Sequence, residues 1–374
     1  MIVILCGLNH GGILQYADKL ASTLEELSIS YRLFLPMGAD QTCLHTSADK
    51  IVEYAFHKNL IFAHKSAMAV SKKIDALTPD LLFATDDALA TEMMLVSCHL
   101  ADKTFCVLHD VTPHMQAFRL KMYAVETVKN LYRKKMLSRL DKVLLLSKHS
   151  YSIFCERYGK QRKKAVLFPL GSHVPETVCV RPAEISNFSE QQYILFFGRI
   201  DLYKGIDLLL DAFSFYRSKG EKNYTLVVAG KPVAGYEFPE IKNPENIVRL
   251  DRYISDGEMR WLFRHCKAVV LPYREASQSG VLPIAYSFGK PVIASSVPGL
   301  TEFIVPGETG WICASLEEFA AAINSLDDEK LYKNMRECSL NYHRSHFDWK
   351  TNVSKLFAEN GIIGSTLEVN DAHK

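Results

Sequence analysis

Short apolar runs alternate with longer amphipathic stretches along most of the chain. Runs such as IVILCG at 2–7 and LLFAT at 81–85 have the length and apolar content of buried strands. The stretches between them carry the apolar spacing of helices. Strands that alternate with helices in this way predict a parallel, doubly wound α/β sheet. The same half continues with the runs YRLFLP, TFCVLHD, KVLLLS and AVLFP.

The alternation stops once and then begins again, which predicts two domains. The polar stretch at 172–192 has no periodicity and predicts a linker. A second series follows, with YILFFGR, YTLVVAG, NIVRL, AVVLP and KPVIAS as its strands. We therefore assign 1–178 to an N-terminal and 190–345 to a C-terminal Rossmann-like domain. We expect 346–374 to form a helix that packs back towards the first domain, followed by a frayed tail.

The composition is that of a soluble globular protein, with 48% hydrophobic and 23% charged residues. The net charge of +2 is too small to indicate a nucleic-acid partner. Nine scattered cysteines without a CxxC pair predict buried thiols in a cytoplasmic protein. We interpret MIVILCGLNHGG as a first strand rather than a signal peptide.

Candidate binding residues follow several predicted strands directly. Ligands of open α/β sheets bind at the carboxyl ends of the strands, so two such domains predict a site in the cleft between them. Gly11 and Gly12 open the first helix and would let a ligand approach the backbone, although any tight turn needs the same residues. Their spacing is not GxGxxG, which disfavours a nicotinamide dinucleotide.

Two further elements carry charged or titratable side chains. In FFGRIDLYKGID, Gly198 ends a strand, and Arg199 and Lys204 flank the next helix start. Two cations there suit a phosphate or diphosphate, whereas the alternative is solvated surface charge. In LHDVTPH, His109 leaves another strand and could face a substrate hydroxyl or serve as a structural histidine.

The stretch EASQSGVLPIAYSFGK places a small polar cluster at the start of an apolar helix. Gln278, Ser279 and Gly280 could contact the same anion as the preceding element, although a capping serine would also explain Ser279. A single diphosphate bound by FFGRIDLYKGID and by the QSG stretch would explain why both elements carry anion-binding residues after their strands. The paired carboxylates Asp86 and Asp87 predict a helix cap, and no His/Asp spacing indicates a metal site.

These elements resemble those of the retaining GT-B glycosyltransferases of family four. FFGRIDLYKGID is similar to the family's GR…KG element, and FGKPVIASSVPGLTEFIVPGETGW and FDWKTNVSKLF continue the resemblance to about Phe357. The resemblance implies two Rossmann-like domains and transfer of a sugar, with retention, from a nucleotide-diphosphate sugar to a glycan or lipid-linked glycan. It implies polysaccharide biosynthesis and no metal or other cofactor.

The resemblance also assigns residues. The implied catalytic residues are Arg199, Lys204 and His109, and the implied donor-binding residues are Gly11, Gly12, Gly198, Tyr253, Glu275, Gln278, Ser279, Gly280 and Val281. Arg199 and Lys204 would hold the donor diphosphate, and Tyr253 would lie in the loop around the nucleobase. The stretch from Gln278 resembles a family branch written QSGV…A…FGKPV, in which Ser279, Gly280 and Val281 would contact phosphate through their main chain.

The sequence departs from the family where two glutamates are usual. That register places Ala276 and Ile284 there, and Glu275 lies one residue from the first position. The donor sugar is therefore not assigned. A non-catalytic nucleotide-sugar-binding protein, an inactive partner subunit and a nucleotide-sugar epimerase stay open as alternatives.

The stretch 115–140 is strongly basic. It contains Arg119, Lys121, Lys129, Arg133, Lys134, Lys135 and Arg139 against the single acid Glu126. Such a helix is expected either to expose a solvated basic face or to contact an anionic membrane on its cytoplasmic side.

Overall fold

The computed structural model describes residues 1–40, 44–57, 60–98, 102–109, 111, 120–186, 192–220, 224–241 and 244–363, with only the backbone for 60–61 and 120–127. The chain divides into two compact units. The first comprises Met1–Pro169 and Trp349–Lys374, and the second comprises Leu170–Asp348. The first unit thus ends earlier than the expected boundary at 178, and the chain returns to it after the second.

A parallel sheet forms the centre of the first unit, and its described strands lie in the order β3-β2-β1-β4-β5-β6-β7. These strands are β1 (Ile2–Leu5), β2 (Tyr31–Pro36), β3 (Ile51–Tyr54), β4 (Leu81–Ala84), β5 (Lys103–Leu108), β6 (Lys142–Leu145) and β7 (Ala165–Leu167). The helices between them are α1 (Gly12–Glu26), α2 (Leu60–Asp75), α3 (Leu89–Ser97), α4 (Leu120–Arg139) and α5 (Lys148–Arg157). The doubly wound α/β prediction is therefore confirmed for this unit.

The central strands are buried along their whole length. Every residue of β1 and β4 is buried, because helices cover both faces of a parallel sheet. Their register pairs Ile2 with Tyr31 on one side and with Leu81 on the other. The strand β3 was not predicted, because it lies at the edge and most of its four residues are partly exposed.

A second parallel sheet has the described strand order β10-β9-β8-β11-β12-β13. Its strands are β8 (Tyr193–Phe197), β9 (Thr225–Ala229), β10 (Ile247–Leu250), β11 (Ala268–Leu271), β12 (Val292–Ser295) and β13 (Gly310–Cys313). Its helices are α6 (Ile206–Ser218), α7 (Asp256–His265), α8 (Val281–Ser287), α9 (Pro298–Thr301), α10 (Leu316–Ser325) and α11 (Glu329–His346). The edge strand β13 was missed for the same reason as β3.

The polar stretch predicted as a linker packs onto the second unit where the structure describes it. The Val180 amide donates to the Gly257 carbonyl at 3.0 Å. The Arg260 guanidinium donates to the Pro175 carbonyl at 2.7 Å. Ile185 is fully buried. A stretch without apolar periodicity can therefore still be fixed by backbone hydrogen bonds, which composition does not reveal.

The helix α12 (Trp349–Glu359) closes the first unit. The Trp349 ring lies edge-on to Tyr16 of α1, with 4.8 Å between the ring centroids. Phe168 makes a longer contact with the same indole, at 6.5 Å. None of the helices in the described ranges combines the length and the hydropathy needed to cross a membrane.

Candidate functional site

The turn after β8 depends on glycines, two of which, Gly205 and Gly230, have no room for a side chain. Gly198 has φ +117°, and a Cβ added to Gly230 of the neighbouring strand would lie 1.8 Å from the Gly198 carbonyl oxygen. Gly205 has φ +65°, and its Cβ would lie 1.9 Å from the carbonyl oxygen of Pro272 after β11. Asp201 accepts from the Leu202 amide at 2.7 Å and caps the short turn between them. A side chain at position 205 or 230 would therefore collide with backbone, and the positive φ angles at 198 and 205 favour glycine.

Lys204 lies partly buried over aromatic rings. Its Nζ is 3.6 Å from the centroid of Tyr273 and 5.1 Å from that of Tyr203. Burial lowers the pKa of Lys204 to about 8, and the charge of Arg199 acts in the same direction. Tyr203 and Asp201 oppose this shift and favour the charged form, and an ammonium over a ring face is also stabilised by the ring quadrupole.

Arg199 lies at the same strand end but is mostly in solvent, with 62% of its side chain exposed. Its Nη2 donates to the Tyr203 hydroxyl at 3.3 Å, and its Nε is 4.0 Å from an Asp201 carboxylate oxygen. The guanidinium and the Lys204 ammonium thus give this edge of the second sheet two positive charges. A planar guanidinium with several donors suits a phosphate or diphosphate.

The QSG element lies beside this turn. A Cβ added to Gly198 would lie 3.8 Å from Cγ2 of Val281, the first residue of α8. Ser279 is 7% exposed, and its Oγ accepts from the Val281 amide at 3.3 Å and lies 3.4 Å from the Tyr273 hydroxyl. Ser279 therefore binds the first amide of α8, although the N-cap position itself is Gly280, which has no side-chain cap. The Gln278 Oε1 atom is buried with no hydrogen-bond partner among the described residues.

The other donor-binding candidates of this unit are more dispersed. Tyr253 follows β10 and is 64% exposed, next to Arg252, which pairs with Glu184 and Glu258. Glu275 is half-buried between β11 and α8. The structure brings the elements at 198–205 and 278–281 together and leaves Tyr253 on a separate loop.

In the first unit the glycine turn is open. Gly11 has φ +79° and precedes α1, and a Cβ added to Gly11 or Gly12 would have no described atom within 4 Å. The helix start has neither a side-chain cap nor an acidic residue in its first turn. Backbone amides at such an exposed start are accessible to an anion.

His109 is oriented by contacts within the first unit. Its Nε2 lies 2.8 Å from the Thr85 carbonyl oxygen, so this nitrogen carries the hydrogen and Nδ1 is the acceptor of the neutral ring. The His109 amide donates to Asp87 Oδ1 at 3.4 Å, and the ring lies edge-on to Tyr16 at 5.9 Å. Asp110 and the rest of that motif from 112 lie outside the described residues.

The carboxylates that follow β4 bind groups inside the first unit and do not cap α3, whose N-cap is Ala88 without a side-chain cap. Asp86 is fully buried and accepts from the Gly7 amide at 2.6 Å, the Thr91 hydroxyl at 2.6 Å and the Ala88 amide at 3.0 Å. Burial raises the pKa of Asp86, although these three donors oppose the shift. The contact with Ala88 involves the amide of the N-cap residue itself and not an amide of the first turn of α3, so the predicted helix cap is wrong.

The neighbouring Asp87 forms an ion pair that corrects the prediction for the basic helix. Arg133 of α4 is 5% exposed, and its Nη2 and Nε lie 2.5 Å from Asp87 Oδ2 and Glu92 Oε1, respectively. Arg139 donates to the carbonyls of Val96 and Cys98. Arg133 is therefore inside the unit and is not part of a solvated basic face, whereas Arg139 binds its two carbonyls from an exposed position.

Part of that face remains. Lys134 and Lys135 are exposed, and Leu131 beside them is 66% exposed. Residues 115–119, and the side chains of 120–127, lie outside the described part of the chain, which includes Arg119 and the side chain of Lys121. In the described part, no cluster of three or more His, Cys, Asp or Glu side chains could hold a metal ion.

The two doubly wound units constitute the GT-B fold. Residues 191–328 match the model of the family described as glycosyl transferases group 1. Solved structures with this fold include a sucrose-phosphate synthase from Thermosynechococcus elongatus, with a TM-score of 0.73 and 15% identity over 96% of this chain and 99% of that one. Anabaena HepE in complex with UDP and glucose has a TM-score of 0.74 and 16% identity over 97% of this chain and 100% of that one.

Curated relatives are glycosyltransferases as well. The chain is 24% identical over 328 residues to the alpha-1,3/1,6-mannosyltransferase ALG2 of Dictyostelium discoideum, which covers 77% of this chain and 74% of that protein. It is 30% identical over 139 residues to a GDP-mannose:glycolipid 4-beta-D-mannosyltransferase of Xanthomonas campestris, covering 35% of this chain and 38% of that protein. The chain therefore has the fold of GT-B glycosyltransferases and is similar in sequence to glycosyltransferases.

Proposed function

We propose that this protein is a glycosyltransferase that moves a sugar from a nucleotide-diphosphate sugar to a glycan or lipid-linked glycan, with retention and without a metal ion. The observation that carries the proposal is the pair of cations, Arg199 and Lys204, fixed beside the QSG element at the carboxyl ends of β8 and β11. The similarity to mannosyltransferases and the UDP-bound structure of the same fold support it.

The two cations suit the charge that develops in such a reaction. When the sugar leaves, negative charge accumulates on the nucleoside diphosphate. Fixed positive groups stabilise that charge without reorganising during the step. In the proposal Arg199 and Lys204 fulfil this role, which a divalent ion would otherwise fulfil, and His109 contacts a substrate hydroxyl through Nδ1.

The first experiment is a thermal-shift panel with UDP, GDP, ADP, CMP and NAD, followed by the sugar donors of any nucleotide that binds. Ligand at a hundred times its Kd should stabilise the protein by about 2.7 kcal/mol. We expect one nucleoside diphosphate to give a shift that Arg199→Ala and Lys204→Ala lose. Turnover should also fall by orders of magnitude in both variants. Lys330→Ala, which removes an exposed charge from α11, is the control.

Wild-type turnover in both Arg199→Ala and Lys204→Ala would contradict the assignment of these residues. A second candidate function, a non-catalytic nucleotide-sugar-binding protein, is favoured by the apolar residues Ala276 and Ile284 at the positions of the usual glutamates. Donor binding that depends on Arg199 and Lys204, with neither transfer nor hydrolysis of the donor, would support this alternative.

The proposed acceptor suggests a membrane contact through the exposed end of α4. Each basic residue near an anionic surface contributes about 1 kcal/mol, so neutralising Lys134 and Lys135 together should weaken vesicle binding by about 30-fold. Flotation with phosphatidylserine vesicles at low salt measures this effect in the double Lys→Gln variant. The variant Lys330→Gln is the control. Equal flotation of wild type and the double variant would exclude this surface as the contact.

A further inference from the structure

Tyr273 links the two elements of the candidate site in the second unit. It follows β11 and is 1% exposed. Its ring lies 3.6 Å from Lys204 Nζ, and its hydroxyl lies 3.4 Å from Ser279 Oγ. Its backbone is held as well, because the Ser295 hydroxyl donates to the Tyr273 carbonyl. One side chain thus contacts a residue of the GR…KG element and a residue of the QSG element.

We propose that Tyr273 is a positioning residue, whose ring face holds the Lys204 ammonium at a fixed distance from Ser279. The proposal rests on the proposed function only in that Lys204 binds the donor diphosphate there. The placement of the ammonium by the ring can be tested without any ligand.

The surroundings of Lys204 explain why the ring matters. Asp201 is the carboxylate of the same turn, and it is already engaged by the Leu202 amide and by Arg199. Arg199 repels the ammonium, and the second aromatic contact, Tyr203, is longer at 5.1 Å. A lysine side chain has a flexible four-carbon stem and moves readily into water when no group holds it. Tyr203 and Asp201 also favour the ammonium, but the Tyr273 ring, packed in the core, is the nearer of the two aromatic faces and opposes this movement.

The test measures the ionisation of Lys204 itself. Competitive labelling with acetic anhydride across a pH series, read by mass spectrometry of the Lys204 peptide, gives its pKa in the folded, ligand-free chain. Wild type should titrate at about 8. In Tyr273→Leu the ammonium should move into solvent, and its pKa should rise towards the ordinary value of about 10.4. Tyr273→Phe keeps the ring and should titrate like wild type.

A matched control separates positioning from general loss of stability. Tyr193 is a fully buried tyrosine of the same unit at the amino end of β8, where its hydroxyl donates to the Leu262 carbonyl at 2.8 Å. Tyr193→Leu should lower the thermal midpoint much as Tyr273→Leu does and leave the pKa of Lys204 unchanged. An unchanged or lowered pKa in Tyr273→Leu would show that the ammonium stays in place without the ring and would overturn the proposal.

Nucleotide binding then tests the proposed function separately. If Lys204 binds the diphosphate, affinity for UDP or GDP should fall in Lys204→Ala, and Tyr273→Leu should lose about 2-fold to 30-fold, the range of a cation–π contact. Wild-type binding by Lys204→Ala would reject the role of Lys204 in the function. It would leave the labelling result, and hence the positioning by Tyr273, intact.

Discussion

Replacing Arg133 by methionine should destabilise the first unit strongly. The substitution keeps an unbranched, helix-compatible side chain but removes the charge between two buried carboxylates. Arg133 pairs with Asp87 and Glu92 at 2.5 Å, and Glu92 is fully buried. The second oxygen of Glu92 has no hydrogen-bond partner among the described residues. The carboxylates would therefore remain in the core without their counter-ion.

The size and the pH dependence of the effect follow from this geometry. Breaking a buried ion pair by removing one partner costs about 3–5 kcal/mol. Burial raises the pKa of Glu92 to about 7 even with Arg133 present. Between the ordinary carboxyl value and about 7 the native state binds more protons than the unfolded state, so this group destabilises the fold as pH rises through that window. The loss of unfolding free energy in Arg133→Met should thus be larger at about pH 8 than at about pH 5. At the lower pH Glu92 is protonated in the wild type and in the variant.

The assay must distinguish the two units, because a chain with two units need not unfold in one step. Urea titration with a hydrogen-exchange pulse, followed in peptides of β4 and α3 for the first unit and of α6 for the second, gives separate transitions. Arg133→Met should lower the midpoint of the first unit alone. Lys135→Met changes an exposed residue of the same helix and should stay within about 0.5 kcal/mol of wild type.

A second variant tests the cause. Adding Glu92→Gln to Arg133→Met removes one of the stranded charges and should recover part of the loss at about pH 8. If the first unit has the same urea midpoint in Arg133→Met as in Lys135→Met, the buried ion pair does not stabilise this unit. If Arg133→Met loses the same unfolding free energy at both pH values, Glu92 does not change its protonation between them and the argument from its pKa is wrong.

Three further outcomes are expected. Gly205→Ala should lower the free energy of unfolding of the second unit, measured by urea titration, by several kcal/mol, because its Cβ would lie 1.9 Å from the Pro272 carbonyl oxygen. Gly220→Ala, with φ +86° and open space, should cost about 1 kcal/mol, and equal costs for the two variants would contradict the steric argument. Affinity for UDP or GDP, measured by calorimetry, should fall above about pH 8 as Lys204 loses its proton, and Lys204→Ala should show no such fall. Transferase activity should survive dialysis against EDTA, and loss restored by a divalent ion would refute the proposed metal independence.

The sequence predicts best where the local pattern and the tertiary environment agree. The strands β1, β4 and β8 are buried along all or most of their length, and their apolar runs predict them directly. The strands β3 and β13 have four residues each at sheet edges and mixed exposure, so neither period nor composition marks them. Their pairing depends on the neighbouring strand rather than on their own side chains.

For the site, too, the sequence predicts what local spacing decides and misses what distant neighbours decide. The spacing of FFGRIDLYKGID predicts that Arg199 and Lys204 follow one strand, and the structure adds that Gly205 has no room for a Cβ. The placement of Lys204 over Tyr273 joins residues far apart in the chain, so no local spacing predicts it. Arg133 looks like one more charge of a basic helix, because its partners lie 41 and 46 residues earlier. Contacts of this kind are decided by the packing of α3 against α4 and not by the helix sequence alone.

The return of the chain to its first unit sets an order on biosynthesis. A ribosome has made every described strand of both sheets before it reaches Trp349, whose indole packs against Tyr16 and Phe168. Until then the nascent first unit lacks the cover of α12 over α1, and apolar surface of this kind is what chaperones bind. A nonsense codon that ends translation just before Trp349 would therefore leave the second unit whole and expose the core of the first.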